Sequence, residues 1–204
     1  MDAGQTIANA LKRKGSAAVA DLDALGLSRP TLFRALKQLE QSGQIIRLRR
    51  GVYAPASDDI ASDSWGLALQ RHPTGVLCLL SALRFHEITT QSPWAVWLAL
   101  PKGTRPPREQ AYPPVKAMYV SGPAYSEGIE VHQRPAGEVR VYSVAKTVAD
   151  CFKFRNRIGL DVALEALREG WRERRFTMDE LHRVSQVCRV QNVMRPYVEA
   201  LVAS

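Results

Sequence analysis

Cysteine is scarce in this chain: Cys78, Cys151 and Cys188 are the only three in 204 residues. An odd number, so widely spread, excludes a disulfide framework and a zinc knuckle and fits a reducing cytoplasm; each thiol reads as a small buried hydrophobe. No apolar run approaches the ~20 residues that cross a bilayer, so no membrane partner is expected. The opening MDAGQTIANALKRKG has no apolar core behind a basic end, so no export signal is expected either. Catalytic signatures are also missing, with neither GxSxG nor GxxxxGK present. FHEITT (85–90) starts like the HExxH zinc motif, but Thr90 stands where the second histidine belongs, and His72, His132 and His182 form no ligand spacing. In GSAAVADLD, Gly15-Ser16 lies too close to Asp21 and Asp23 for the triphosphate and metal site of a nucleotidyltransferase. Glu138-Val-Arg140 echoes a nuclease E-x-K pattern, yet arginine cannot replace lysine in tuning a water. No catalytic residue, metal or cofactor is expected.

What the chain does have is a globular composition, 46 % hydrophobic and 24 % charged, and a length that suits one large domain or two modest ones. Its net charge of +8 points to an acidic partner, most often nucleic acid. The excess is uneven. Residues 1–55 hold nine Lys/Arg against four Asp/Glu, while the remaining three quarters hold nineteen against sixteen.

The basic first quarter has its own periodicity. Ile7, Ala8 and Leu11 mark a helix over 5–14, with Lys12-Arg13-Lys14 at its end, where the helix dipole favours cations, and Gly15 as its stop. AVADLDALGLS reads as a second short helix closed by Gly26. Ser28 then caps a third, in which Pro30 is tolerated in the first turn and Leu32, Ala35, Leu36 and Leu39 form one apolar face. After Gly43 the period changes to two. QIIRLRRGVYA alternates, with Ile46 and Leu48 on one face, Arg47 and Arg49 on the other, and a turn at Arg50-Gly51. Three short helices closed by a hairpin make a winged helix-turn-helix, predicted over residues 1–55.

PASDDIASDS is small, polar and acidic and reads as a linker over 56–64. Residues 65–204 read as a larger α+β domain. WGLALQRH and GVLCLLSALRFHEI are expected as helices, WAVWLALP as a buried strand, and KGTRPPREQAYPP as a loop. VKAMYVSG, GIEVHQR and EVRVYS follow as strands. From Ser143 the pattern is helical, with Thr177 and Glu180 spaced as a capping box and a last helix ending near Val202, with Pro196 in or near its first turn.

The candidate site lies in SRPTLFRALKQLEQSGQIIRLRRGVYA. Outside its apolar face the third helix shows Arg29, Thr31, Phe33, Arg34 and Lys37, and the hairpin adds Arg47, Arg49 and Arg50. The N-terminal turn of such a helix enters a major groove, where arginine pairs with guanine and threonine or phenylalanine meets a thymine methyl. Wing arginines reach a flanking minor groove or phosphates, gaining affinity by counterion release. Double-stranded DNA is therefore the expected partner; solvated surface charge is the bland alternative, and Phe33 can also serve to cover the core edge. Arg168, Arg172, Arg174 and Arg175 in EALREGWRERRFT extend that basic surface, contact an acidic protein partner, or form a solvated helix laced by Glu165, Glu169 and Glu173; the last is preferred.

SRPTLFRALKQLEQSG resembles the recognition helix of the GntR regulators. GVLCLLSALRFHEITTQSPWAVWLALP and VRVYSVAKTVADCFKFRNRIGLDVALEAL resemble the C-terminal domain of the AbiEi family, the antitoxins and transcriptional regulators of type IV toxin–antitoxin, or abortive-infection, systems. Ser143, Thr147 and Asp150 match an S-x-x-x-T-x-x-D pattern of that family, and a structural role in tying the helix to a neighbouring strand or loop is preferred to partner contact. The resemblance implies a cytoplasmic repressor that binds repeats in the promoter of its own operon and counters a cognate nucleotidyltransferase toxin. A winged-helix regulator whose second domain senses a small molecule is the alternative.

Overall fold

The computed structural model describes residues 2–14, 16–56, 63–107 and 113–202. Gly15, the stretch 57–62 of the expected linker, residues 108–112 of the expected loop and the side chain of Arg49 lie outside the described residues. The architecture is mixed α+β and divides into two compact units, residues 1–73 with 133–139 and residues 74–132 with 140–204.

In the first unit, α1 (Ala3–Lys14) buries Ile7, Ala10 and Leu11. The short α2 (Val19–Leu22) runs into a 3-10 turn, Asp23–Leu25, that stops at Gly26 in the left-handed conformation, φ +71°. Helix α3 (Arg29–Gln41) starts at Ser28, whose hydroxyl accepts from the Thr31 amide at 3.4 Å, with Pro30 in the first turn. Its inward arc is Leu32, Ala35, Leu36 and Leu39, all buried. Strands β2 (Ile45–Arg49) and β3 (Val52–Pro55) form the wing, and β1 (Ala17–Ala18), a strand absent from the sequence reading, pairs with β3 to give the order β1-β3-β2.

The expected alternation in β2 holds for Ile46 and Leu48 on one face and Arg47 on the other; Ile45 and Leu48, three residues apart, are both buried because they point to opposite faces. Both faces of this small sheet are in fact covered, and the register shifts between Arg47 and Arg49. Ile45, Tyr53 and Ala17 join the core of the three helices. Leu48, Val52 and Ala54 pack on the other side with Leu67 and Ala136, and Ile46 and Ala18 lie against that cluster. Leu67 belongs to α4 (Ser64–Arg71), which the sequence reading assigned to the larger domain and which groups with the N-terminal helices.

The second unit is built on a five-stranded mixed sheet in the order β6-β5-β4-β8-β7. Its strands are β4 (Val76–Leu77), β5 (Val96–Pro101), β6 (Val115–Val120), β7 (Ile129–Arg134) and β8 (Gly137–Tyr142). β4 lies in a segment expected to be helical throughout; only Leu79–Phe85, α5, is helix. A continuous apolar run fits a buried strand as well as a helix. After the single turn α6 (Pro123–Ser126), the tail consists of α7 (Val144–Lys153), α8 (Arg155–Ile158), α9 (Leu160–Arg172), α10 (Met178–Cys188) and α11 (Gln191–Val202). Every residue of α7 from Val144 to Phe152 is buried. Gly128, at φ +71°, lets the backbone approach α7 so closely that a Cβ there would lie 2.9 Å from the Cβ of Lys146. Pro196 sits inside α11 rather than in its first turn, so one amide is missing from the interior of a helix that buries only Met194 fully.

Candidate nucleic-acid interface

The geometry of α3 separates two jobs. Leu32, Ala35, Leu36 and Leu39 face inward, while Arg29, Phe33 and Lys37, spaced one turn apart, face solvent beside Arg34. No acid falls between Arg29 and Gln38; Glu40 comes only in the last turn. Arg29 meets Asp23 at 3.3 Å, but its side chain is 75 % exposed, and such surface pairs hold an arginine weakly. Among the described residues, Arg34, Lys37, Arg47 and Arg50 have no carboxylate within ion-pair distance. Phe33 is 50 % exposed. Thr31 is half-buried, and its hydroxyl lies 2.8 Å from that of Ser28, which engages it in the helix cap.

On the wing, Arg47 stands opposite Tyr53 in the β2–β3 register, its guanidinium 6.0 Å from the ring centroid. Tyr53 packs into the helical core, so Arg47 emerges on the helix-bearing face of the sheet. Arg50 is exposed in the turn before Gly51, whose φ of +77° closes the hairpin. Arg49 lies in β2. Lys12, Arg13 and Lys14 are exposed at the end of α1, a further basic group that the sequence reading assigned only to the helix dipole.

In the second unit, Ser143, Thr147 and Asp150 act on the protein itself. The Ser143 hydroxyl accepts from the Lys146 amide at 3.4 Å as the cap of α7. Thr147 Oγ1 donates to the Tyr142 carbonyl at 3.1 Å. Asp150 receives the Lys146 ammonium at 2.5 Å and the Cys188 thiol at 3.3 Å. Lys146, which the sequence pattern did not single out, is fully buried, with its ammonium 4.0 Å from the Tyr142 ring centroid. Burial first, and then the Asp150 charge, push the Cys188 thiol up to about 12. The same two causes raise the Tyr142 phenol, whose hydroxyl donates to the Tyr125 carbonyl at 2.8 Å. His86, from the FHEITT stretch, is buried with Nε2 2.7 Å from the Tyr142 carbonyl. Burial lowers its pKa. In the arginine-rich stretch, Arg172 pairs with Glu169 and Glu173, and Arg175 pairs with Glu173 and donates to the His86 carbonyl at 3.1 Å.

Three helices closed by a two-stranded hairpin make the first unit winged-helix-like. Residues 5–56 match the family described as "Transcriptional regulator, AbiEi antitoxin". No curated protein matches the sequence. Among solved structures, the Rv2827c protein from Mycobacterium tuberculosis is similar, with a TM-score of 0.60 at 15 % identity over 89 % of this chain and 70 % of that one. At that identity the likeness concerns the fold. Among the described residues, no helix is long and apolar enough to cross a membrane.

Proposed function

We propose that this protein is a cytoplasmic, non-enzymatic repressor that binds double-stranded operator repeats of its own operon and acts as the antitoxin to a cognate nucleotidyltransferase toxin. The observation that carries the DNA-binding half is the outer arc of α3, where Arg29, Phe33, Arg34 and Lys37 leave the helix with no acid among them. Its inner arc is fixed in the core, so the arc is presented on a rigid element. Arg47 and Arg50 add cations on the neighbouring wing. A groove-entering helix beside a phosphate-holding finger is how a winged helix grips a duplex. The antitoxin half rests on the AbiEi match of residues 5–56 and the resemblance of the C-terminal segments to that family.

Fluorescence anisotropy of the full chain with its own upstream DNA, measured over a salt series, tests the first half. Binding should be tight at low ionic strength and tighter than to a scrambled duplex; no retention at low salt rejects the reading. Co-expression of the full chain with a neighbouring nucleotidyltransferase gene tests the second half, and unrelieved growth arrest counts against it.

A ligand-responsive regulator is the second reading. A cleft of about 720 Å³ between α10 and α11, lined by Leu181, His182, Ser185, Met194 and Val198, supports it. A metabolite panel that moves neither the melting temperature nor operator affinity sets it aside.

A further inference from the structure

The wing is backed by a piece of chain about eighty residues further on. The turn Pro135–Ala136, between β7 and β8, belongs to the N-terminal unit, and Ala136 is buried against Leu48, Val52, Ala54 and Leu67. Both polar groups of its peptide backbone are held by side chains flanking or within α4. The Ala136 amide donates to Asp63 Oδ2 at 3.2 Å, and its carbonyl accepts from Gln70 Nε2 at 3.1 Å. Asp63 is itself buried; it caps α4 by accepting from the Gly66 amide at 3.3 Å and also takes Arg134 at 3.5 Å. Arg134 in turn lies 5.3 Å from the Trp65 ring centroid. The packing leaves no slack, because a Cβ on Gly66 would stand 2.8 Å from that of Ala136. From the end of the same helix, Arg71 Nε donates to the carbonyl of Leu48 in the wing at 3.2 Å.

Helix α4 therefore touches two things at once. It holds the hairpin tip through Asp63 and Gln70, and it holds β2 through Arg71 and Leu67. Without that layer, one face of a three-stranded sheet would expose Leu48, Val52 and Ala54, and a small ribbon with one bare apolar face is only marginally stable. From this we infer that the DNA-binding unit is discontinuous in sequence: the tip at 134–137, clamped by Asp63 and Gln70, sets the position of the wing, so that Asp63, Gln70 and Arg71 are positioning residues for DNA contact although none belongs to the recognition helix or the wing. This rests on the DNA-binding reading above, but its first observable does not need DNA.

The test uses the full chain and four variants: Asp63→Ala, Gln70→Ala, Arg47→Ala and the double variant Asp63→Ala/Arg47→Ala. Amide hydrogen exchange reads the wing directly. The Leu48–Val52 amides should exchange at least about tenfold faster in Asp63→Ala, and less so in Gln70→Ala, while the amides of α7 keep their protection. Unaltered wing exchange in a folded Asp63→Ala protein overturns the inference, whatever DNA does; global loss of protection moves the decision to Gln70→Ala, which removes one hydrogen bond and leaves the carboxylate cap in place. The second readout is a double-mutant cycle on operator binding. Asp63→Ala should weaken binding about fivefold in the native background and clearly less once Arg47 has gone, because both act through the wing. Fully additive losses would mean that Asp63 supports folding without positioning the wing, and would overturn the proposal. If the native chain ignores DNA altogether, the DNA reading fails and the exchange data alone decide whether the tip braces the wing.

Discussion

The Lys146 ammonium and the Asp150 carboxylate meet at 2.5 Å, one helical turn apart, in a helix with no exposed residue from Val144 to Phe152. Two charges so deeply placed are tolerated because each is further satisfied, the cation over the Tyr142 ring and the carboxylate by the Cys188 thiol. Removing one partner leaves the other unpaired in the core. Lys146→Met should therefore cost about 3–5 kcal/mol of unfolding free energy, and Lys146→Met with Asp150→Leu should regain most of it. Urea denaturation of the three proteins measures this; a double variant no more stable than the single one contradicts the account.

The His86 ring is buried and its pKa lies below the ordinary 6.5. Above about 6.5 the ring is neutral in both the folded and the unfolded chain, and its full contribution is present. As the pH falls through that value the unfolded chain takes up the proton first, so stability drops until the lower folded pKa is reached. The second unit should therefore have a lower urea midpoint at pH 5.5 than at pH 7.5, and His86→Gln should flatten the difference. His72, in the first unit, is shifted the same way by its own burial, so the measurement is made on Trp65→Phe protein, whose remaining tryptophans lie in the second unit.

Phe33 and Arg34 project from α3 without contributing to its core. Phe33→Ala should leave the melting temperature nearly unchanged while weakening operator binding. Arg34→Ala should cost on the order of 1–3 kcal/mol at its preferred site and relax discrimination at one base pair. Equal losses on operator and random DNA would move Arg34 from base reading to phosphate contact.

Each wing arginine that neutralises a phosphate adds about 0.9 to the salt slope. Charge reversal at Arg47 and Arg50 together should reduce that slope by roughly 2. An unchanged slope removes the wing from the interface.

The three thiols are all buried, and Cys188 is pushed up to about 12. None should react with a thiol probe such as DTNB in the native protein at pH 8, and all three should react in denaturant. Fast native labelling of any one would show that its element opens.

The first three helices and the wing were legible because their signals are local. Ser28 and Pro30 open α3, an i, i+3, i+4, i+7 row fixes its buried face, and the change of period after Gly43 announces the hairpin. Strand Ala17–Ala18 was not legible, since two small residues carry no period and owe their state to pairing with Val52 and Tyr53. Val76–Leu77 was hidden in an apolar run that suits either state. The S-x-x-x-T-x-x-D pattern pointed to the right helix and missed Lys146, because a lysine in sequence reads as surface until its counter-charge is placed. The clamp on Ala136 joins residues 66 and 73 positions apart and could not be read from any window.

Gly66 and Ala136 meet with no space for one more methyl group. In any relative that keeps this contact, growth at one position has to be answered by a shift of the turn or of the helix. The two sites should therefore change together, and a substitution tolerated at one of them in isolation would show that the descendant protein had already let go of its hairpin.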